Sequence, residues 1–232
     1  MMKFYNYPNI KIIRSLLSGY TMTRSLMDLE AENFILRGEV LDAGSKSTNA
    51  SYYRGMDVSK CNITFTDLKP KSDQILEVNF EEPLPINDES YDTIIAMNIL
   101  EHIYDHNLFV NEMARILKKN GELVGCVPFL IPYHADPNDY FRYTHTALRR
   151  ILQKSDFKEI EIKKLGEGSL LCCSDLLYNY YPNNNRVMRR LRRFHYLGNV
   201  LRYILNLCLR RMKIEKTEDG GAYLALSFVA KK

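Results

Sequence analysis

Two acidic residues that follow short apolar segments are the first candidates for chemistry. Asp42 lies in the segment 39–44 ahead of Gly44, and Asp67 ends the segment 62–67. Ligands of open α/β sheets bind outside the carboxyl ends of the strands, and dinucleotide-binding folds place a ribose-binding acid about 20 residues beyond their glycine turn. Asp67 follows Asp42 by 25 residues, close to that spacing. We therefore expect Asp42, Gly44 and Asp67 to face one bound cofactor.

Short strands that alternate with helices are predicted to position these residues. The segment 91–97 is apolar at almost every position, which is typical of a parallel strand buried on both faces. An apolar periodic stretch between Asp105 and Asn120-Gly121 predicts a helix over 105–119. Helices are also predicted over 25–36 and 144–155, and strands over 39–44, 62–67, 74–78, 122–127, 157–164 and 223–230. The alternation predicts a doubly wound α/β sheet.

The composition is that of an ordinary globular protein. The 232 residues, 46% apolar and 26% charged, suffice for one domain with an elaboration. The five cysteines form no C-x-x-C pair, so they indicate neither a zinc site nor a disulfide framework. Because no leader and no run of 18 apolar residues is evident, we expect neither secretion nor a membrane span. These features favour a reducing, cytoplasmic setting.

One segment carries the excess positive charge. Residues 176–214 contain nine basic residues and no acid, so the rest of the chain sums to −5 against a net charge of +4. Apolar residues recur at helical spacing over 186–212, which predicts one or two basic amphipathic helices. Such a helix can bind an anionic membrane surface through 186–213. A lid or a homodimerisation helix is the alternative, and nucleic acid binding is a third use, although no RNA or DNA module accompanies the charge.

The order of these features resembles the class I S-adenosylmethionine-dependent methyltransferases, in particular the subgroup found with cell-surface saccharide biosynthesis. The resemblance covers about 39–164 and the last strand. The residues that carry it are Val40-Leu-Asp-Ala-Gly44, Asp67, Leu84-Pro85 before Ser90-Tyr-Asp92, Ile99-Leu-Glu-His-Ile103, the stretch from Glu112 to Gly121, and Asp139-Tyr-Phe-Arg-Tyr143.

The resemblance implies a Rossmann-like sheet of seven mostly parallel strands with helices on both faces. The basic helical insertion then lies between strands six and seven. We expect an N-terminal helical segment over 1–38, a methyltransferase domain over 39–174 and 215–232, and the insertion over 175–214.

The resemblance also implies a set of residues that bind S-adenosylmethionine. Asp42 and Gly44 would lie at its methionine end, and the two acceptor oxygens of Asp67 would match the ribose diol. The expected cofactor-binding residues are Asp42, Gly44, Asp67, Leu68, Asn79 beside the adenine, and Asn98 behind the cofactor.

Methyl transfer needs alignment in a desolvated site, and it needs a base only when the acceptor is a hydroxyl or a similarly weak nucleophile. His102 and His134 are the candidate catalytic residues, with a backbone-bonded structural histidine as the alternative for His102. The expected acceptor pocket comprises Glu101, Tyr133, Asp139, Tyr140, Arg142 and Tyr143, because aromatic faces stack on sugars and Arg grips anions bidentately. A structural loop with an Arg142–Asp139 pair is the alternative. No metal is expected, since Asn98 stands where some relatives have the first acid of Glu-x-x-Glu-His.

The sequence thus predicts a methyltransferase that acts on a sugar hydroxyl or related acceptor in surface polysaccharide or glycolipid biosynthesis. Its acceptor would be a small molecule or a glycan, and it would work in the cytoplasm or at the inner face of the membrane. Two rivals stay open. One is an RNA methyltransferase that uses the arginine-rich insertion, and the other is a non-catalytic interaction subunit, because the segment from Ser45 to Thr48 lacks the further glycines of the family.

Overall fold

The computed structural model describes residues 9–45, 47, 49–176, 186–212 and 221–232. The helices are α1 (Ile10–Leu17), α2 (Met22–Ala31), α3 (His106–Ile116), α4 (His145–Gln153), α5 (Ser169–Leu176) and α6 (Arg186–Arg211), with short 3-10 turns at Ser51–Arg54 and Leu100–His102. The strands are β1 (Gly38–Asp42), β2 (Cys61–Asp67), β3 (Leu76–Glu77), β4 (Tyr91–Met97), β5 (Leu117–Pro128), β6 (Glu159–Leu165) and β7 (Ala225–Lys231).

The strands form one seven-stranded sheet in the order β3-β2-β1-β4-β5-β7-β6. The first five strands of this order pair in parallel. β7 runs antiparallel to β6, because the Lys158 N–H donates to the Lys231 carbonyl and the Leu224 N–H donates to the Leu165 carbonyl. The predicted Rossmann-like, mostly parallel sheet is confirmed. The strand order reverses between β1 and β4, and such a switch point opens a crevice at the carboxyl ends of the strands.

The central strands are the most apolar part of the sheet. Val40 and Leu41 of β1 and Ile94 and Ile95 of β4 are fully buried. β4 has the predicted bounds, since an apolar run covered on both faces is a clear signal in a sequence.

One predicted helix ends earlier in the structure than the sequence indicates. The helix predicted over 105–119 is too long, because α3 stops at Ile116 and Leu117 already pairs with Tyr91. The β4–β5 register then shifts, and Asn120 has a φ of 62°. The Asn-Gly pair therefore lies within β5 and does not end a helix.

The N-terminal region also differs from its prediction. The helix predicted over 25–36 is found at Met22–Ala31, and α1 precedes it. Phe34 and Leu36 are buried in the extended segment that follows α2, so their apolar character reflects core packing and not helical periodicity.

The chain forms two compact units. Unit 1 comprises the described residues of Met1–Leu29, Leu130–Pro132 and Lys164–Ala225. Its core includes Ile12 and Leu16 of α1, Leu171 of α5, and Val200 and Tyr203 of α6. Unit 2 comprises Glu30–Phe129, Tyr133–Lys163 and Leu226–Lys232, and it contains every residue predicted to act in the site.

The basic segment forms one long helix where it is described, α6. The remaining parts of the predicted insertion, 177–185 and 213–214, lie outside the described residues. The predicted domain boundaries stay predictions. Within the described ranges, none of the helices combines the length and apolar content that crossing a bilayer requires.

Candidate active site

The carboxyl ends of β1, β2 and β4 bring three predicted cofactor residues to one edge of the sheet. Asp42 is the last residue of β1 and pairs in register with Phe65 of β2 and Ile95 of β4. Asp67 ends β2, and Asn98 directly follows β4. This edge is the switch point of the strand order, where open α/β sheets bind ligands.

Asp42 is held inside the protein by two tyrosines. The Tyr52 hydroxyl donates to its Oδ2 at 2.8 Å and the Tyr53 hydroxyl at 2.5 Å. Burial raises the pKa of Asp42 to about 6, although hydrogen bonds from Tyr53, Tyr52 and Ser45 oppose that rise. Burial and the neighbouring Asp42 charge also raise the pKa of Tyr53, so its hydroxyl remains a donor. The Asp42 carboxylate therefore anchors the 3-10 turn that follows the first loop.

Gly44 occupies a position that suits only glycine. Its φ is 89°, and a Cβ there would lie 2.9 Å from Cδ1 of Ile99. Its N–H donates to the Thr66 hydroxyl at 3.0 Å, and that hydroxyl donates to the Asp42 carbonyl at 2.8 Å. The loop after β1 is thus fastened to β2 and packed against the residues after β4.

The other predicted cofactor residues lie on the same edge in different settings. Asp67 is partly buried and Leu68 is exposed. Asn98 has a φ of 53° and donates its N–H to the Cys126 carbonyl at 2.9 Å. The Asn79 side chain donates to Glu82 at 2.7 Å and accepts from the backbone N–H of the next residue but one, so it shapes the turn after β3.

These residues fit S-adenosylmethionine. The Asp42 Oδ1 atom is buried with no hydrogen-bond partner among the residues described, at the end of β1 where the methionine moiety is expected. The backbone at Gly44 has no side chain to hinder a close approach, and Asp67 offers two acceptor oxygens for a diol.

A second cluster, which we call the Glu–His cluster, consists of Glu101, His102 and His134. Glu101 is 0% exposed, and neither of its carboxylate oxygens has a hydrogen-bond partner in the described part of the chain. Its Oε1 lies 3.8 Å from Nε2 of His102 and 3.7 Å from Nε2 of His134. The two imidazole rings are 5.1 Å apart between centroids and nearly perpendicular.

Both histidines are oriented by groups on the far side of their rings. His102 Nδ1 contacts the Asn138 carbonyl at 2.5 Å. His134 donates its backbone N–H to Asp139 at 2.9 Å, and its Nδ1 lies 3.5 Å from the same carboxylate. In each imidazole the Nε2 atom is therefore the one that faces Glu101.

The loop after β5 contributes several predicted acceptor residues and uses some of them internally. Arg142 forms a bidentate pair with Asp139, at 2.5 and 2.6 Å, and this pair lowers the pKa of Asp139 to about 2. Tyr143 is buried and donates its hydroxyl to the Leu100 carbonyl at 3.0 Å. Burial raises the pKa of Tyr143. Arg142 and Tyr143 thus hold the loop.

Three tyrosines of this region remain open to solvent. Tyr133 is 75% exposed and Tyr140 is 43% exposed. Tyr104, which the sequence analysis did not single out, is 67% exposed and its ring lies 5.3 Å from that of Tyr140. The signal for Tyr104 was its place directly after the Glu-His-Ile motif.

Residues 38–125 match the family model described as a methyltransferase domain. Over 122 residues the chain is 33% identical to a Mycobacterium tuberculosis protein named "Probable S-adenosylmethionine-dependent methyltransferase". The aligned region covers 50% of this chain and 44% of that protein. Over 69 residues it is 33% identical to a ubiquinone biosynthesis O-methyltransferase of Pelagibacter ubique, 29% of either chain. The chain therefore spans less than half the length of these curated relatives.

The crystal structure of a SAM-dependent methyltransferase from Archaeoglobus fulgidus superposes with a TM-score of 0.55 at 14% identity, covering 97% of this chain and 100% of that one. At this identity the likeness concerns the fold. Residues 38–125 are thus similar to methyltransferase domains, and the chain shares its fold with a solved SAM-dependent methyltransferase. These similarities support the predicted resemblance to the class I methyltransferases and S-adenosylmethionine as the cofactor. The saccharide-associated subgroup stays a prediction.

Proposed function

We propose that this chain transfers the methyl group of S-adenosylmethionine to a hydroxyl group of its acceptor. The observation that carries the proposal is the Glu–His cluster, a buried carboxylate between two imidazoles beyond the carboxyl ends of β4 and β5. Bound S-adenosylmethionine supplies a methyl group on a sulfonium. A hydroxyl oxygen is a weak nucleophile until its proton is drawn away, and the cluster offers proton acceptors for that task.

In the proposed reaction an O–CH₃ bond forms as the C–S bond breaks, and the electron pair of the broken bond stays on sulfur in S-adenosylhomocysteine. The acceptor proton passes through the Glu–His cluster to solvent. His134 is the imidazole in position to meet an acceptor, because its side chain is 40% exposed and that of His102 only 8%. Asp67 would hold the ribose hydroxyls, and Gly44 would allow the backbone to approach the methionine moiety.

A sugar hydroxyl is the acceptor that we propose within this class. The exposed rings of Tyr104, Tyr133 and Tyr140 supply flat apolar faces on which a sugar ring can stack. Because Arg142 is engaged by Asp139, recognition of the acceptor rests on these tyrosines and on the Glu–His cluster. The proposed substrates are surface polysaccharide or glycolipid precursors.

The cofactor part of the proposal is tested by isothermal titration with S-adenosylhomocysteine. Wild-type protein should bind at micromolar strength, about −8 kcal/mol, and Asp67→Ala should lose that binding. Asp73→Ala removes an exposed acid from the segment after β2 and should bind like wild type. No binding in any of the three proteins would overturn the proposal and favour a non-catalytic interaction subunit.

The acceptor part is tested with radiolabelled S-adenosylmethionine and a panel of lipid-linked oligosaccharides, polysaccharides and RNA. Label should enter a glycan fraction, and His134→Ala should abolish it while S-adenosylhomocysteine still binds. Label that enters RNA, together with RNA binding that weakens steeply with salt, would instead establish the RNA methyltransferase.

We further propose that α6 attaches the protein to an anionic membrane surface, which would bring it to a lipid-linked acceptor. Counted at about 100° per residue, the residues of one exposed stripe fall within an arc of about 80°, and they are Phe194, Leu197, Leu201, Leu205 and Cys208. The opposite face buries polar residues, among them Asn199 and Asn206. The same inward face also places Val200 and Tyr203 in the core of unit 1. α6 is therefore apolar on two faces, and a surface helix normally has only one apolar face, the one turned inward. The second, exposed stripe is the kind of apolar patch that marks a binding surface.

The positive charge of residues 176–214 favours an anionic partner. The nine basic residues and absence of acids over 176–214 complement anionic lipid headgroups, with a contribution of about 1 kcal/mol from each basic residue near such a surface. Co-sedimentation should show binding to vesicles of phosphatidylcholine with phosphatidylglycerol and weak binding to phosphatidylcholine alone. Leu201→Glu should reduce binding at least tenfold, whereas Ile35→Glu, at an exposed apolar residue outside α6, should not. Equal binding of Leu201→Glu and wild type, or a stable dimer in solution that Leu201→Glu dissociates, would overturn the membrane proposal.

A further inference from the structure

We infer that Glu101, His102 and His134 form a binding site for a divalent transition-metal cation. The metal site stands on its own geometry, and its part in activating the acceptor hydroxyl rests on the proposed function. The sequence alone predicts no metal, because Asn98 stands where some relatives have the first acid of Glu-x-x-Glu-His. The third ligand, His134, comes from the loop after β5, 32 residues further along the chain.

The first argument is the state of the Glu101 carboxylate. A fully buried carboxylate normally accepts hydrogen bonds or pairs with a cation, because losing water without compensation is costly. Both oxygens of Glu101 are buried with no hydrogen-bond donor within the described ranges. The two imidazoles lie within 4.0 Å of the carboxylate, and the Arg142 guanidinium, which also interacts with Glu101 electrostatically, is engaged by Asp139. A cation bound between the three side chains would supply the missing compensation.

The second argument is the tautomer of His102. The Asn138 carbonyl can only accept a hydrogen bond, so the Nδ1 atom of His102 must carry the proton. Its Nε2 atom is then the ring nitrogen left for a further ligand, and it faces Glu101 Oε1 across 3.8 Å, which is too long for a hydrogen bond. Two potential ligand atoms that converge at this distance leave room for a metal ion as their shared partner.

The third argument is the support behind the ligands. Histidines that bind metals commonly donate their second ring nitrogen to a carbonyl or carboxylate, which fixes the ring and raises its basicity. His102 has the Asn138 carbonyl in this place, and His134 has the Asp139 carboxylate at 3.5 Å. Asp139 is itself fixed by its bidentate pair with Arg142. The Arg142–Asp139 pair thus helps to orient His134 as a metal ligand.

The geometry and donor set narrow the choice of ion. Each of the three side chains offers one ligand atom, and these atoms lie within 4.8 Å of one another. This spacing is slightly wider than the distances between ligands whose bonds to a shared metal are about 2.0–2.2 Å. Two imidazole nitrogens and one carboxylate oxygen suit zinc, iron, cobalt or manganese better than calcium or magnesium. Three protein ligands leave a coordination position for water or an acceptor hydroxyl. With the ion bound, the three side chains would act as ligands and not as proton acceptors. Coordination would lower the pKa of the acceptor hydroxyl, and its proton would leave directly to solvent near neutral pH.

The test is isothermal titration of the full chain, freed of any affinity tag and treated with chelator, with zinc chloride in the absence of S-adenosylmethionine. We expect one zinc ion per chain. Glu101→Gln and His134→Gln should weaken binding by more than the roughly 100-fold that loss of an outer-shell partner costs. His145→Gln, at the first residue of α4 and outside the cluster, should bind zinc like wild type. Cobalt added to wild type should give the visible absorption of a low-symmetry site, and Glu101→Gln should not.

Folding of the variants is checked by thermal melting without metal. Glu101→Gln should still melt in one cooperative transition, and zinc should raise the melting temperature of wild type and of His145→Gln but of neither cluster variant. Binding of zinc to Glu101→Gln and wild type with equal affinity, or the absence of stoichiometric binding to wild type, would overturn the metal site. S-adenosylhomocysteine binding to the same zinc-free preparation separates the two proposals, because it tests the cofactor site and not the metal.

Discussion

The Asp42 carboxylate should make the stability of this protein fall as the pH rises from 4 to 8. Burial raises the pKa of Asp42 to about 6 in the folded chain, against 3.8 for the ordinary side chain. Between these values the folded chain holds a proton that the unfolded chain has lost, so the free energy of unfolding decreases with pH. At about 1.36 kcal/mol for each pKa unit, the decrease between pH 4 and pH 8 is about 2 to 3 kcal/mol.

The substitution Asp42→Asn isolates this effect because the amide has no proton to lose. Its oxygen can still accept from Tyr52 and Tyr53, while its NH₂ group adds a cost of about 1–3 kcal/mol if it lacks an acceptor. That cost does not depend on pH. The free energy of unfolding of Asp42→Asn relative to wild type should therefore become more favourable by about 2 to 3 kcal/mol from pH 4 to pH 8.

Urea denaturation followed by circular dichroism at pH 4, 5, 6, 7 and 8 measures this difference. Asp73→Asn, at an exposed acid, should give a curve parallel to wild type. Tyr53→Phe removes a hydrogen bond that lowers the pKa of Asp42, so the transition should move to higher pH. A difference between Asp42→Asn and wild type that stays constant across the range would refute the reasoning, because Asp42 would then titrate alike in both states.

Three further substitutions test the roles of Gly44, Asp175 and Arg142. Gly44→Ala should cost about 1–2 kcal/mol and weaken S-adenosylhomocysteine binding at least tenfold by titration, because of its positive φ. Gly221→Ala should change neither, since no residue of the described ranges lies within 4 Å of the added Cβ. Asp175→Ala should lower the free energy of unfolding by about 2 kcal/mol in urea, since it leaves two buried N–H groups of the first turn of α2 without an acceptor. Arg142→Lys should cost about 1 kcal/mol at pH 7 and less at pH 3, because the stabilisation from the lowered pKa of Asp139 is lost as the pH falls toward 2.

The central sheet could be predicted from the sequence because its signals are local. β4 is a continuous apolar run, and Asp42 and Asp67 each end a short β-branched or apolar segment. The register shift near Asn120 could not be predicted, since an Asn-Gly pair after an apolar periodic stretch has the same local pattern whether it ends a helix or bends a strand.

The Glu–His cluster could be predicted only in part. His102 and Glu101 are adjacent in the sequence, but the approach of His134 depends on how the loop after β5 folds back. That loop is fixed by the Tyr140 N–H, which donates to the Glu101 carbonyl at 2.8 Å. Such contacts join residues about 40 positions apart, and they produce no periodic pattern in the sequence. The exposed apolar stripe of α6 was visible as helical periodicity, but which face it occupies depends on the packing of α6 against α1 and α5.

The contacts of α2 imply an order in which this protein can acquire its structure during synthesis. The first turn of α2 has its N–H groups capped by Asp175, which follows Met22 by 153 residues. Ile12 and Leu16 of α1 likewise find Val200 and Tyr203 of their core only after α6 has been made. Domains generally fold as the chain emerges from the ribosome, yet α1 and α2 wait for contacts with segments made about 150 residues later. Until α5 and α6 have been made, these two helices expose apolar surface to which chaperones can bind.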